Sequence, residues 1–268
     1  MHPMLNIAIR VARAAGNLMC RHLNQLDQLK VEQKHKDDLV TQADREVEAL
    51  VRSQLLRAFP QHRVMGEESG TTGTAESEYL WCVDPIDGTT NFVQGIGHFA
   101  VSIALPRHGV PELGVVFDPL LDEMFAAARG NGATLNGQRI RVANRASLDG
   151  AVIGTAFPVR YRERMDPYMQ LFRRLIDNCA DVRRMGAASL DLCYVACGRF
   201  DGYLEQGLKP WDFAAGELIV REAGGLLSDF GGSAAYMQNG NLVAGNARIL
   251  PELLQKVCLP DTLDARLR

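Results

Sequence analysis

Asp84 and Asp87 stand three residues apart in the segment Trp81-Cys82-Val83-Asp84-Pro85-Ile86-Asp87-Gly88-Thr89-Thr90-Asn91-Phe92. The apolar run before Asp84 reads as a strand that delivers it at its end, and Pro85 fixes the turn that follows. Two carboxylates facing one small volume repel each other unless a proton or a cation lies between them. Hard dications answer that repulsion, and an all-oxygen donor set favours Mg2+ over Zn2+. Gly88 removes a side chain where the backbone would approach a ligand, and Thr89 and Thr90 open a helix whose free N–H groups suit a phosphate. A strand–turn–helix junction whose aspartates simply cap would use the same residues, so this segment alone leaves both readings open.

Three further acidic positions bear on the choice. Glu67, in Gly66-Glu67-Glu68-Ser69-Gly70, follows an apolar strand between glycines, although a Glu-Glu pair on a loop is ordinarily just solvated. Asp212, in Lys209-Pro210-Trp211-Asp212-Phe213-Ala214-Ala215-Gly216, precedes a helix that capping alone would explain. Asp44, in Thr41-Gln42-Ala43-Asp44, fits an ordinary first-turn helix charge. The conjunction shifts the balance, because Glu67, Asp84, Asp87 and Asp212 all fall at the ends of elements, where sites form in sheet-based folds. His2, His22, His35, His62, His98 and His108 are scattered and show no paired spacing for a zinc centre. Neither a GxSxG nucleophile elbow nor a Walker phosphate loop occurs. Metal-activated water is then the simplest hydrolytic machinery available.

The elements that must position these residues can be read from periodicity. Met4, Leu5, Ala8, Val11, Ala12 and Ala15 recur at helical spacing and predict an amphipathic helix over 3–24. A second helix is expected over 41–58, with Thr41 as its cap, Asp44, Glu46 and Glu48 in its early turns and Phe59-Pro60 at its end. Residues 71–78 read as a surface loop. Strands are expected at 79–83, ending at Asp84, and at 99–105, 113–117 and 123–128, with Asn136-Gly137 as a type I′ hairpin signal. That half of the chain predicts helices with a largely antiparallel sheet. Beyond it, strands at 152–155, 201–205 and 226–229 alternate with helices at 166–179, 189–198 and 213–224, which predicts an α/β pattern. The polar stretch 141–150 marks a seam between subdomains 1–145 and 146–268, packed as one unit.

Composition narrows the function classes. Hydrophobic residues at 47% and charged residues at 23% suit a folded globular chain. A net charge of -3 gives no support to bulk electrostatic attraction to nucleic acid. No apolar run approaches the roughly 18–20 residues needed to span a bilayer, and the N-terminus lacks the order of a secretory signal. Cys20, Cys82, Cys179, Cys193, Cys197 and Cys258 form no CxxC pair and read as free thiols in a reducing compartment, with the cytoplasm as the default.

The sequence resembles the inositol monophosphatase family over essentially its whole length. Trp81–Phe92 matches the first family signature and Trp211–Gly216 the second. Gly66-Glu67-Glu68-Ser69 and Leu39-Val40-Thr41-Gln42-Ala43-Asp44 match in order and spacing. Met1–Ala8, Gly198-Arg199-Phe200-Asp201-Gly202 and Val220-Arg221-Glu222-Ala223-Gly224-Gly225 resemble the bacterial SuhB-type branch in particular. The resemblance implies a layered α-β-α-β-α sandwich, a homodimer, and a lithium-sensitive site holding two or three Mg2+ ions that hydrolyses inositol monophosphate or a similar small phosphomonoester.

Carried over by position, the resemblance implies one metal on Glu67, Asp84, the Ile86 carbonyl and the Thr89 hydroxyl, and a second on Asp84, Asp87 and Asp212. A third would lean on Glu67 through waters. Thr89 with Asp44 would orient or deprotonate the attacking water, and Gly88, Thr89 and Thr90 would bind phosphate oxygens through backbone N–H groups. Glu205 matches the residue that contacts ring hydroxyls, Gly186, Ala187 and Ala188 match its partner loop, and Arg183 is expected to contribute. Lys34 falls near a basic position that steadies the catalytic loop. The loop departs from relatives at Met185 and Ala187, where small polar residues are common, and no residue in Gly154–Pro158 matches a hydroxyl contact of some eukaryotic members.

Two alternatives remain. Relatives acting on sugar bisphosphates or phosphoadenosine phosphate carry long insertions and extra basic residues, whereas this chain is compact. SuhB-like members are associated with the Nus-factor antitermination machinery of RNA polymerase, a binding role separable from catalysis. Arg183-Arg184, Arg160-Tyr161-Arg162-Glu163-Arg164 and the tail Asp264-Ala265-Arg266-Leu267-Arg268 are the basic stretches that could serve it; ordinary solvated surface charge explains them equally.

Overall fold

Leu5, Ala8, Val11, Ala12, Ala15 and Met19 line one stripe of α1 (Pro3–Leu23) and are all buried. Val47, Val51 and Leu55 do the same for α2 (Gln42–Ala58), and the two helices pack together. Thr41 caps α2: its Oγ1 accepts the N–H groups of Ala43 at 3.0 Å and Asp44 at 3.3 Å. Asp44 Oδ2 in return accepts the Thr41 N–H at 2.7 Å, closing a capping box. These elements belong to a computed structural model that describes residues 3–29, 31–35 and 38–258. Between the helices lies an antiparallel hairpin, β1 (Val31–His35) and β2 (Asp38–Thr41), which periodicity did not announce.

The first large sheet follows as β3 (Arg63–Gly66), β4 (Gly70–Gly73), β5 (Leu80–Asp87), β6 (Ala100–Arg107), β7 (Val110–Asp118), β8 (Glu123–Ala128), β9 (Ala133–Leu135) and β10 (Gln138–Arg139), with a short helix α3 (Thr89–Val93) after β5. Its order is β10-β9-β8-β7-β6-β5-β3-β4, antiparallel except where β3 runs parallel to β5. Asn136 and Gly137 turn between β9 and β10 with φ of 49° and 80°, as a type I′ hairpin requires. Part of the expected 71–78 loop is strand β4, paired with β3 from Arg63↔Gly73 to Gly66↔Gly70; its glycines and threonines gave no apolar alternation.

The remaining elements are β11 (Val152–Thr155), α4 (Met165–Asn178), β12 (Asp181–Arg183), α5 (Ala188–Ala196), β13 (Gly202–Glu205) and α6 (Pro210–Glu222). After them come β14 (Leu226–Ser228), α7 (Tyr236–Asn239), β15 (Leu242–Gly245) and α8 (Ile249–Glu252), which runs into a π-helical turn over Leu253–Cys258. The second sheet has the order β12-β11-β13-β15-β14. β11 runs parallel to β12 and β13, and β15 is antiparallel to β13 and β14.

Side-chain alternation divides the core into layers. Along β8, Phe125 and Ala127 pack towards α5 and α6, whereas Ala126 and Ala128 pack towards α1 and α2. A sheet covered on both faces needs no polar side, which is why β6 to β8 read as near-continuous apolar runs. α5 is buried from Ala188 to Cys193 because it lies between the two sheets together with α6. α4, α8 and the π-helical turn close the far face of the second sheet through Tyr168, Leu171, Leu175, Ile249 and Leu253. The sequence of layers is α1/α2, eight-stranded sheet, α5/α6, five-stranded sheet, α4/α8: the expected α-β-α-β-α sandwich. Among the described residues no helix is long and apolar enough to cross a membrane.

Candidate active site

β5 does not end at Asp84 as expected but continues to Asp87, with an irregularity between the two aspartates. Asp84 faces Ser102 and Asp87 faces Ala100 on β6, so three steps on one strand meet two on the other. One inserted residue breaks the alternation that would send residues three apart to opposite faces. Pro85, which has no N–H to donate, sits inside this bulge. Asp84 Oδ1 accepts the Ile86 N–H at 3.1 Å. Asp87 Oδ2 accepts the Ser189 N–H at 2.7 Å and the Ser189 hydroxyl at 2.6 Å, tying the strand end to the first turn of α5.

Gly88 then turns the chain at φ 89° into α3. A Cβ there would lie 3.0 Å from the His98 carbonyl oxygen and 3.2 Å from the Ala187 Cβ, so conformation and crowding both demand glycine. Thr89 Oγ1 lies 3.1 Å from the Ile86 carbonyl oxygen and 3.4 Å from Asp44 Oδ1, the outer oxygen of the α2 capping box. The buried Asn91 amide donates to the carbonyls of His98 at 2.7 Å and Met185 at 2.8 Å. It thereby fixes the loop after α3 against the loop before α5.

Glu67, Asp84, Asp87 and Asp212 line one cleft of about 160 Å3 together with Ile86, Gly88, Thr89, Thr90, Gly186, Ala188 and Glu205. Asp212 arrives from α6, which begins three residues earlier than expected because Pro210 at its first position suits a helix start. The cap is therefore Lys209, and Asp212 Oδ2 accepts the Lys209 N–H at 2.7 Å from the third helical position. Glu205 ends β13 and accepts the Tyr203 hydroxyl proton. Arg160, Tyr161 and Arg184 form part of the facing wall.

The cleft is electrostatically strained. Burial, then the negative fields of Glu67, Asp87, Asp212 and Asp44, push the Asp84 carboxyl well above the usual carboxylate range. Burial raises Asp87 to about 7, against the two Ser189 hydrogen bonds that pull it back. Asp212 is pushed up to about 8, by burial first and by Asp87 next. Glu205 reaches about 8 through burial, partly offset by the Tyr203 hydroxyl. An oxygen-only, anionic and desolvated donor set suits a hard dication in kind and in charge. Among the described residues no three His, Cys, Asp or Glu side chains gather tightly enough to hold one ion. Asp84, Asp87 and Asp212 are instead turned to the amide and hydroxyl donors named above, each with its second carboxylate oxygen outside those bonds.

Several sequence-predicted residues stand differently. Arg183 pairs with Asp181 on β12 and does not line the cleft, whereas its neighbour Arg184 does. Arg160 and Arg184 fall in basic stretches that the sequence leaves open between partner binding and solvated surface charge; both line the cleft, and their positive fields act on Asp212 and Glu205 respectively. Ala187 is buried behind Gly88 while Gly186 and Ala188 line the cleft. Lys34 lies on β1, but its side chain falls outside the described residues, as does the tail 264–268. Sequence reasoning missed the supporting roles of Ser189, Asn91 and Tyr203, whose partners lie at 102, 94 and two residues' separation. All six cysteines are free, with Cys82, Cys193 and Cys258 buried.

Comparison with known proteins agrees with this geometry. The family model described as "Inositol monophosphatase family" matches residues 1–259. The chain is 50% identical over 261 residues to Nus factor SuhB of Pseudomonas aeruginosa, covering 96% of each. The crystal structure of extragenic suppressor protein suhB from Bartonella henselae superposes with a TM-score of 0.93 at 39% identity, covering 96% of this chain and 98% of that one. Inositol monophosphatase from Anabaena superposes with a TM-score of 0.85 at 38% identity, covering 94% of each. A match of that length, with both motifs brought to one cleft, places the chain in the inositol monophosphatase family.

Proposed function

We propose that this protein hydrolyses inositol monophosphate, or a similar small phosphomonoester, with Mg2+ as its cofactor. One observation carries the reading: carboxylates from three distant stretches, Glu67, Asp84 with Asp87, and Asp212, line the same cleft as the backbone of Gly88–Thr90. Glu67, Asp84, Asp87, Asp212 and the Ile86 carbonyl would hold the metal. When bound, Mg2+ supplies neutralisation of the phosphate oxygens and activation of water.

The chain's own residues supply the rest. Gly88, Thr89 and Thr90 offer backbone N–H groups to the phosphate, whose spreading negative charge they stabilise as the ester bond breaks. Thr89 Oγ1 lies close enough to Asp44 to donate its proton there while accepting one from the attacking water. The water oxygen bonds to phosphorus as the bond from phosphorus to the ester oxygen breaks, the leaving oxygen takes up a proton from solvent in place of the one passed to Asp44, and alcohol and phosphate result. Glu205, fixed by Tyr203, accepts hydroxyl protons of the polyol, and Gly186 and Ala188 shape the wall beside it.

Phosphate release from inositol monophosphate, fructose bisphosphate and phosphoadenosine phosphate tests the substrate class. Release from the first is expected to require Mg2+, to exceed the other two and to be inhibited by lithium. Preference for a bisphosphate would replace the reading, and no release from any would remove it.

The relative named Nus factor SuhB supports a second role, association with Nus factors and RNA polymerase. Pull-down of purified RNA polymerase with Nus factors by wild type and by Asp87→Asn is expected to recover them equally, separating binding from catalysis. No recovery at low salt would end that role.

A further inference from the structure

Glu48 lies on the buried side of α2, 2% exposed, one residue beyond the apolar Val47. Its carboxylate does not line the cleft. Glu48 Oε2 accepts the Glu68 N–H at 2.7 Å, and Oε1 accepts the Ser69 N–H at 3.0 Å. Resting on the phosphatase reading above, we infer that Glu48 is a positioning residue for Glu67, setting the cleft's affinity for its dication without contacting it.

The loop between β3 and β4 is only three residues long, closed by the Gly66↔Gly70 pair. Glu67 is its first residue, and its N–H donates to the Val83 carbonyl at 3.2 Å, next to Asp84 on β5. Glu48 takes the next two amides. Every N–H from Glu67 to Ser69 is thereby committed to a partner outside the loop, which leaves Glu67 little freedom to swing from the cleft. Bonds from amides to a charged oxygen are about twice as strong as neutral ones. Arg52, one turn along α2, lies 3.6 Å from Glu48 Oε1 and also donates to the Ser69 hydroxyl, so it steadies both ends of the contact.

Gly66 supplies independent support. A Cβ built there would lie 2.3 Å from Glu48 Oε2, so the carboxylate packs directly on the backbone preceding Glu67. An apolar residue at position 48 would satisfy α2 packing more cheaply than a buried charge does. The carboxylate is explained by what it holds. Groups that hold a metal ligand in its place change the metal's affinity about 10–100-fold when altered.

Calorimetric titration of the purified full chain with MgCl2, beside phosphate release, tests the inference. Glu48→Gln keeps the shape but turns an NH2 group towards one of the two amides. Its Mg2+ dissociation constant is expected to rise about 10–100-fold, with kcat at saturating Mg2+ recovering to within a few-fold. Gly66→Ala, which displaces the carboxylate by a different route, is expected to raise the constant likewise and carries the test if Glu48→Gln does not fold. Lowered Tm with unchanged Mg2+ affinity would make Glu48 merely structural and overturn the inference. A wild-type chain that neither takes up Mg2+ nor releases phosphate would instead overturn the phosphatase reading, and this inference with it.

Discussion

Asp87→Asn and Asp212→Asn are each expected to lower kcat by at least about 10²-fold at saturating Mg2+, because each removes an anionic donor from the cleft. The substitutions leave local structure intact. An asparagine carbonyl at 87 can still accept from Ser189, keeping β5 joined to α5, and one at 212 can still accept the Lys209 N–H that starts α6. They also replace a buried carboxyl, whose ionisation is resisted by burial and by its acidic neighbours, with a neutral amide, so no favourable charge pairing is lost. The metal-free variants are therefore expected to unfold at the same temperature as wild type or higher while activity collapses. Phosphate release over a Mg2+ series, with thermal unfolding in chelator, checks both halves. Near-normal turnover in either variant would remove that residue from the metal site. A collapse in both Tm and activity would instead assign the residue to folding.

How much of this was legible beforehand depended on the range over which each signal acts. The helix over 3–24 and the Thr41 cap are local, written in spacing and capping chemistry, and the structure has them within a residue. The Asn136-Gly137 turn is equally local. Strand β5 was cut short because Pro85 ordinarily ends a strand; the bulge that absorbs it is set by pairing with β6, which no window around Asp84 contains. β1, β2, β4 and β12 escaped because short, polar or edge strands bury too little to impose alternation. At the site, the acidic motifs were visible as residue types at element ends. Their supports were not: Ser189 serves Asp87 from 102 residues away, and Glu48 serves the Glu67 loop from 20 and 21. Arg160 and Arg184 looked like surface charge because only the fold turns segments 156–161 and 184–188 towards the carboxylates.

The raised carboxyls fix the sign of the pH dependence. Asp87 at about 7 and Asp212 at about 8 hold protons that the unfolded chain gives up near 3.8. The native state thus binds more protons across this interval, and its metal-free stability is greatest below the unfolded value and falls as pH rises through 7 and 8. Mg2+ must displace the same protons, so its binding should release them and tighten with pH. Both groups are largely protonated at pH 6 and give up their protons as pH rises through 7 and 8, so the apparent Mg2+ affinity is expected to rise steeply across that interval. Because these groups share one field, the protons leave as a set belonging to the cluster. Calorimetry at pH 6, 7 and 8 in buffers of different ionisation enthalpy reads both the affinity and the protons released. Thermal unfolding should show the metal-free Tm falling towards pH 8.5 while added Mg2+ raises it most there. Mg2+ affinity independent of pH would mean that Asp87 and Asp212 do not share the ion's site, whatever activity the chain displays.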